Sequence, residues 1–277
     1  MYKKKHLMLK SLFTCSIIFS AVTEATIVEF ITSQGKVEVN LFDKTTPKTV
    51  ENFLNYVDEQ HYSSSVIHRV SPNFVVQGGG FKFTGTWPLT ALTPNASIIN
   101  EPVYSNVKGS IAMAKRGDDK NSATNQWFFN LQDNNDPNNT NNLDIQNGGF
   151  TVFGQVISGM DVIEKIGRLG RCNNENLTDI PVIKESTQSC ADLVAPGIEN
   201  FVVVNNINII DSSDATDVNL TPTKNTLINS TTAADPSASG GGSLSWLALL
   251  TIALGTGYRR QLKGKFSAFK LRTALKA

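Results

Sequence analysis

Histidine is scarce: His6, His61 and His68 are the three in 277 residues. None stands in a recognisable arrangement with a serine or cysteine, so the sequence offers no nucleophilic triad. No carboxylate pair is signalled either. Cysteine is equally rare. Cys15 lies in an apolar N-terminal stretch behind Leu-Phe-Thr, which does not suit lipid attachment, and Cys172 and Cys190 lack a CxxC spacing or a nearby histidine. No metal site is expected from them. Charge of one sign is lacking too: a net charge of +1 gives no basic surface for phosphates, so nucleic acid is not expected as a partner. The glycine run Gly78-Gly79-Gly80 has no lysine-serine pair or helix behind it to make a phosphate cradle, and reads as a tight turn.

Long apolar runs are missing as well, but both ends carry short ones. Lys3, Lys4, Lys5 and Lys10 precede an apolar stretch from Leu12 to Val22, with Thr23 and Ala25 suited to cleavage after Ala25. Residues 1–25 read as a secretory signal peptide, a retained anchor being the alternative, although a bilayer span takes about 20 residues. Export leaves Cys172 and Cys190 in an oxidising compartment, where an even number of cysteines points to a disulfide. Residues 212–243 are rich in Ser, Thr, Asn and Asp, contain Pro222 and Pro236, and end in three glycines. They read as a disordered linker. A short hydrophobic segment (244–258) and a basic tail (259–277) follow, the arrangement of a membrane anchor with its positive end inside.

Between these ends, residues 26–211 carry the patterning of one β-rich domain. Thr26 to Thr32 and Lys36 to Phe42 read as a hairpin around Ser33-Gln34-Gly35, with Val37, Val39 and Leu41 on one face. Thr46 and Pro47 start a helix of about three turns, with Val50, Phe53, Leu54 and Val57 at helical spacing. Strands follow at Ser65 to Val70, Phe74 to Gln77, Ile111 to Ala114, Gln126 to Leu131 and Thr151 to Val156. A short helix covers Val162 to Ile166, and Asn200 to Ile210 closes the domain with Val202, Val204, Ile207 and Ile209 apolar and a change of phase at Asn205-Asn206. Asn134 to Gly149 reads as a flexible excursion and the cysteine-bearing segment as a polar, loop-like insertion. Many short strands with few helices indicate an antiparallel barrel or sandwich.

One charged residue stands out. In IHRVSPNFVVQGG, Ile67 to Gly79, Arg69 lies in an apolar strand pattern, where a permanently charged guanidinium must be paired or face a site. An outward-facing strand arginine is the ordinary reading of that stretch alone. Around it the chain supplies apolar and amide side chains: Phe74, Gln77, Phe128, Leu143 and Phe150. With GSIAMAKRGDDKNSATNQWFFN and FTVFGQVISGMDVIEKI further on, the sequence resembles the cyclophilin-type peptidyl-prolyl isomerases over roughly residues 26–210.

The resemblance implies an all-β dominated fold, a closed eight-stranded antiparallel β-barrel capped by helices, with a substrate groove on its outer surface. It implies Arg69 as the catalytic residue, Gln77 on the substrate backbone, and Phe74, Val75, Phe128, Leu143 and Phe150 as the proline pocket. Ala114 and Lys115 would offer backbone groups to the peptide. No cofactor is implied; the partners would be proline-containing polypeptides and the protein a monomer. Asn142 stands where many eukaryotic members carry tryptophan, so weak cyclosporin sensitivity is expected. The C-terminal end resembles a bacterial glycine-rich sorting signal cut by a rhomboid-type protease, although 17 residues follow Arg260. Together these imply an exported protein at the periplasm or surface of a Gram-negative bacterium. The competing reading is a tethered module that binds proline peptides without turning them over.

Overall fold

The computed structural model describes residues 26–173, 177–185, 187–193, 195–213 and 220–229. The signal-peptide, hydrophobic-segment and basic-tail readings lie outside the described residues, as does most of the linker. Among the described residues no helix is long and apolar enough to cross a membrane.

The first hairpin forms as its alternation requires: β1 (Ile27–Thr32) and β2 (Gly35–Leu41) pair antiparallel, and Val28, Phe30, Val37, Val39 and Leu41 are all buried. Helix α1 (Pro47–Asp58) follows and buries Val50, Phe53, Tyr56 and Val57. Thr46 is its N-cap and Pro47 its first residue, as expected, but the Thr46 side chain makes no capping bond. The Thr46 hydroxyl donates back to the Phe42 carbonyl, and the free N–H groups of Lys48 and Thr49 are taken instead by the Glu101 carboxylate, at 3.3 and 2.9 Å. A carboxylate suits that end of the helix dipole, but it comes from a distant loop that local reading does not reach.

Strands β3 (Ser65–Val66), β4 (Arg69–Ser71), β5 (Val75–Gly78), β6 (Phe81–Lys82), β7 (Thr90–Ala91), β8 (Ser110–Met113), β9 (Trp127–Asn130) and β10 (Val152–Ser158) precede the second helix, α2 (Met160–Gly167). After it come β11 (Gly170–Cys172), β12 (Ile180–Val182) and β13 (Val203–Asp211). The large sheet runs β4-β5-β9-β8-β10-β2-β1-β13-β3-β6-β7. Its curl brings the ring together in one chain segment: β3 pairs with β13 while β4, two residues on, pairs with β5. Between them the Ile67 N–H donates to Val202 and the His68 N–H to Gln77, so the segment changes partner without a gap in bonding. Counted as one strand, residues 65–71 complete an eight-stranded antiparallel ring, in keeping with the expected barrel.

Inside lie Phe30, Phe53, Trp127, Phe129 and Phe153 among aliphatic neighbours. The phase change in β13 is a bulge: Ile31 faces Asn206 and Thr32 faces Val204, leaving Asn205 extra. Past it Ile207 is buried, but Ile209, paired with Val28 beside a second register shift at the end of the strand, is 42% exposed, contrary to its expected core position.

Two segments are more ordered than their polarity suggests. The cysteine-bearing stretch forms the small sheet β11–β12, and Cys172, Leu177, Ile180, Val182 and Phe201 make a second apolar cluster with Val66 and Leu89. Cys172 and Cys190 are disulfide-bonded, as their count suggested. The asparagine-rich stretch is likewise no free excursion: Asn134, Asn142, Leu143 and Asp144 are buried and bonded. Asparagine side chains here satisfy backbone groups within the fold, which composition alone does not reveal.

Candidate functional site

Register places the candidate residues before any side-chain detail is needed. Arg69 on β4 faces Gln77 on β5, Gln77 faces Phe128 on β9, Phe128 faces Ala112 on β8, and Ala112 faces Val152 on β10. Because successive strand residues point to opposite faces, Val70, Val76, Phe129 and Ile111 form the parallel row inside the barrel. Arg69, Gln77 and Phe128 therefore share the outer surface.

A chain of polar contacts orders the charged end of that row. Arg69 Nη1 donates to Gln77 Oε1 at 3.4 Å, and Gln77 Nε2 donates to Gln126 Oε1 at 2.9 Å. Gln77 is 3% exposed, so its amide is fixed by packing as well as by bonding. Arg69 is half-buried and, among the described residues, forms no ion pair. Burial lowers its pKa from the ordinary value and the charge of Asp179 opposes that shift. The guanidinium nevertheless stays protonated at any physiological pH. His68, its chain neighbour, is buried against Phe81; burial, then the charge of Arg69, push its pKa down to about 3. It is neutral at physiological pH.

Beside this polar chain lies an apolar cluster of Phe42, Val75, Ala112, Phe128, Leu143 and Val152, bordered by Phe74, Ala114 and Phe150. The Phe128 and Phe150 rings meet edge to face, with centroids 5.8 Å apart. Trp127 and Phe129, which flank Phe128 in sequence, turn into the core. All five expected pocket residues thus come together, next to Arg69 and Gln77.

Leu143 and Phe150 arrive on a loop with no strand to hold it. Its backbone is tied by Leu143 N–H to Asn134 O and Phe150 N–H to Leu143 O, both 2.8 Å. The buried Asp144 carboxylate accepts from the Asn106 backbone and side-chain N–H groups at 2.7 and 3.0 Å, and from the Ser105 hydroxyl. Asn100 Nδ2 reaches the carbonyls of Gly148 and Gly149, each at 2.8 Å. From the groove side, Lys115 Nζ donates to Asn147 O at 2.8 Å and Gly149 O at 2.6 Å and sits 4.8 Å over the Phe150 ring. Its pKa is lowered to about 8, chiefly by burial, with Asp119 opposing and Lys120 adding to the shift. Lys115, expected to contribute only backbone, therefore also has a structural use for its side chain. Ala114 has its N–H bonded to Gln126 O, so what it can offer a peptide is its carbonyl. Asn142 is buried, its Oδ1 accepting from the Asp144 N–H rather than facing the groove.

Gln126 is the residue that sequence reasoning passed over. It lies two positions before Phe128, and a period of two places both on one face. A cleft of about 600 Å³ lies elsewhere, beside Pro72, Asn73 and the end of α2. Its carboxylate, Glu164, is already paired with Lys108 at 2.7 Å and Arg168 at 3.6 Å.

The chain is similar to proteins of one family. The family described as "Cyclophilin type peptidyl-prolyl cis-trans isomerase/CLD" matches residues 27–188. A peptidyl-prolyl cis-trans isomerase of Acinetobacter baylyi is 40% identical over 146 residues, covering 52% of this chain and 73% of the relative. Peptidyl-prolyl cis-trans isomerase B of Escherichia coli is 36% identical over 154 residues, covering 56% of this chain and 92% of the relative. Among solved structures, a Cryptosporidium parvum cyclophilin type peptidyl-prolyl cis-trans isomerase aligns with 67% of this chain and 97% of its own, at 19% identity and a TM-score of 0.47.

Proposed function

The chain belongs to the cyclophilin-type peptidyl-prolyl cis-trans isomerase family, and from that premise we propose how its own residues turn an X-Pro bond. The reaction makes and breaks no covalent bond. Its barrier, about 18–20 kcal/mol, is the amide resonance lost when the C–N bond twists. As resonance is lost the proline nitrogen becomes pyramidal and gains a lone pair, and a fixed donor aimed at it favours the twisted state. Arg69 is that donor, since it remains charged and Gln77 holds its fork against the sheet. Gln77 and Gln126 bind the peptide backbone, and Phe74, Val75, Phe128, Leu143 and Phe150 hold the ring while the preceding carbonyl swings.

The observation that carries this reading is the row Arg69–Gln77–Phe128, one charge and one buried amide set by strand register beside an apolar patch. A hydrogen bond to a charged group contributes roughly 1.5–3 kcal/mol, and each 1.36 kcal/mol is tenfold in rate. Arg69→Ala in the full chain is therefore expected to lower kcat/KM on a short Ala-Pro peptide about ten- to a hundredfold while the fold persists. An unchanged rate removes Arg69 from the mechanism. A folded parent that leaves the peptide at its uncatalysed rate supports instead the tethered binding module.

The substrates proposed are exported polypeptides during folding, and the enzyme acts as a monomer without a cofactor. That extension is supported by sequence: the lysine-rich apolar start of residues 1–25 and the apolar and basic segments at 244–258 and 259–277. They fit an envelope tether, either a lasting anchor or a rhomboid-type protease signal.

A further inference from the structure

Residues 220–229 fall inside the stretch whose composition predicts a free linker, yet they lie along the barrel. Thr223 O accepts from the Ser105 N–H at 2.8 Å, the Asn225 N–H donates to Val103 O at 2.9 Å, and Lys224 faces Tyr104 in an antiparallel bridge. Leu220 packs on the same apolar cluster that contains Leu143 and Phe128. Asn225 is 9% exposed, an unusual depth for an amide from so polar a stretch. Its Nδ2 donates to the Asp144 carbonyl at 2.9 Å, and its Oδ1 accepts from the N–H groups of Leu227 and Ile228 at 3.0 and 3.1 Å. The turn so formed lays Ile228 over Gly149, where a Cβ would meet Ile228 Cδ1 at 3.3 Å.

We propose that residues 220–228 are a strap that positions the Leu143–Phe150 wall of the proline pocket, with Asn225 as its positioning residue. The inference rests on the reading of Leu143 and Phe150 as pocket residues. Asp144 is gripped at two points: its carboxylate by Ser105 and Asn106, its carbonyl by Asn225. Ser105 is itself bonded to the strap. The strap thus closes the back of a wall whose groove side is held by Lys115. Freed of it, the wall gains conformations in which the ring site is unformed, and only the competent fraction binds. Arg69 and Gln77, on β4 and β5, lie outside its reach.

The test uses the full chain with Asn225→Ala and Asn225→Asp. The aspartate keeps the acceptor for Leu227 and Ile228 and loses the donor to Asp144, so it serves if the alanine chain does not fold. A lost buried hydrogen bond corresponds to about a three- to tenfold rise in KM for an Ala-Pro peptide, with kcat changed less than about twofold. Amide hydrogen exchange, read in parallel, should quicken at Leu143 and Phe150 and stay unchanged at Arg69, Val70 and Val76. Equal loss of protection on both walls would show general destabilisation, and unchanged KM and exchange would show a passive tail; either overturns the proposal. A parent without isomerase activity would end the enzymatic reading, while the exchange pattern alone would still decide whether the strap orders the wall.

Discussion

The two walls of the groove are built by different means. Arg69, Gln77 and Phe128 stand on adjacent strands whose ladder bonds fix them relative to one another. Leu143 and Phe150 stand on a loop fixed by side chains from Asn100, Ser105, Asn106, Lys115 and Asn225, up to 81 positions away. In the mechanism proposed here the strand wall carries the donor and so the chemistry, and the loop wall shapes what enters. Damage to the first should therefore appear in kcat, and damage to the second in KM and stability.

The largest separation is expected from Asp144→Ala. It strands the Asn106 backbone N–H and the Ser105 hydroxyl, both buried, while the Asn106 amide keeps the Phe150 carbonyl at 3.1 Å. A buried donor without a partner costs about 1–3 kcal/mol, and since these share one site a total of roughly 2–4 kcal/mol is expected from a urea midpoint at unchanged m-value. KM should rise severalfold more than kcat falls. A variant as stable as the parent would show that the loop is held without its central carboxylate. The opposite signature belongs to Gln126→Ala, a half-buried residue on the strand wall. Loss of its bond to Gln77 loosens the amide that orders Arg69, so kcat should fall about three- to tenfold with little change in stability. A change confined to KM would move Gln126 from ordering Arg69 to contacting peptide alone.

The same contrast explains what the sequence discloses. Alternation in Lys36 to Leu41 and the apolar runs around Arg69 define strands, and the register between them, seen in the structure, puts Arg69, Gln77 and Phe128 on one face. The strand signals are local, and Val75, which the resemblance supplied to the pocket, shares the face of Gln77 on β5. The loop wall has no such period. Asn134 looks like a solvent-facing polar residue because nothing nearby in the chain tells that its partner is the Phe74 carbonyl, 60 positions away. Glu101 capping α1 and Asn225 holding Asp144 are illegible for the same reason: each serves an element more than fifty positions away, and composition at 220–229 matches free linker. Gln126 is the intermediate case, reachable by parity with Phe128 but masked by the aromatic run that follows it.

The finest test of the contrast is a pH profile of the loop wall, for which Lys115 supplies the titrating group. Its pKa near 8 lies below the ordinary lysine value because burial disfavours the ammonium; Asp119 and Lys120 are the charges that act on it. Between about pH 8 and the unfolded value near 10.4 the unfolded chain holds a proton that the folded chain has released. Stability from this group therefore increases as pH rises through that window. The grip on the loop moves the other way. A neutral amine makes weaker bonds to Asn147 O and Gly149 O and loses its attraction to the Phe150 ring. KM for the Ala-Pro peptide should thus rise about two- to threefold across pH 8, with kcat nearly level. His68, held near 3, stays neutral across this range and leaves the inflection to Lys115. Lys115→Met should show the raised KM at every pH and no inflection. A parent whose KM is flat from pH 6.5 to 9.5 would mean that Asp144 and the strap hold the wall unaided.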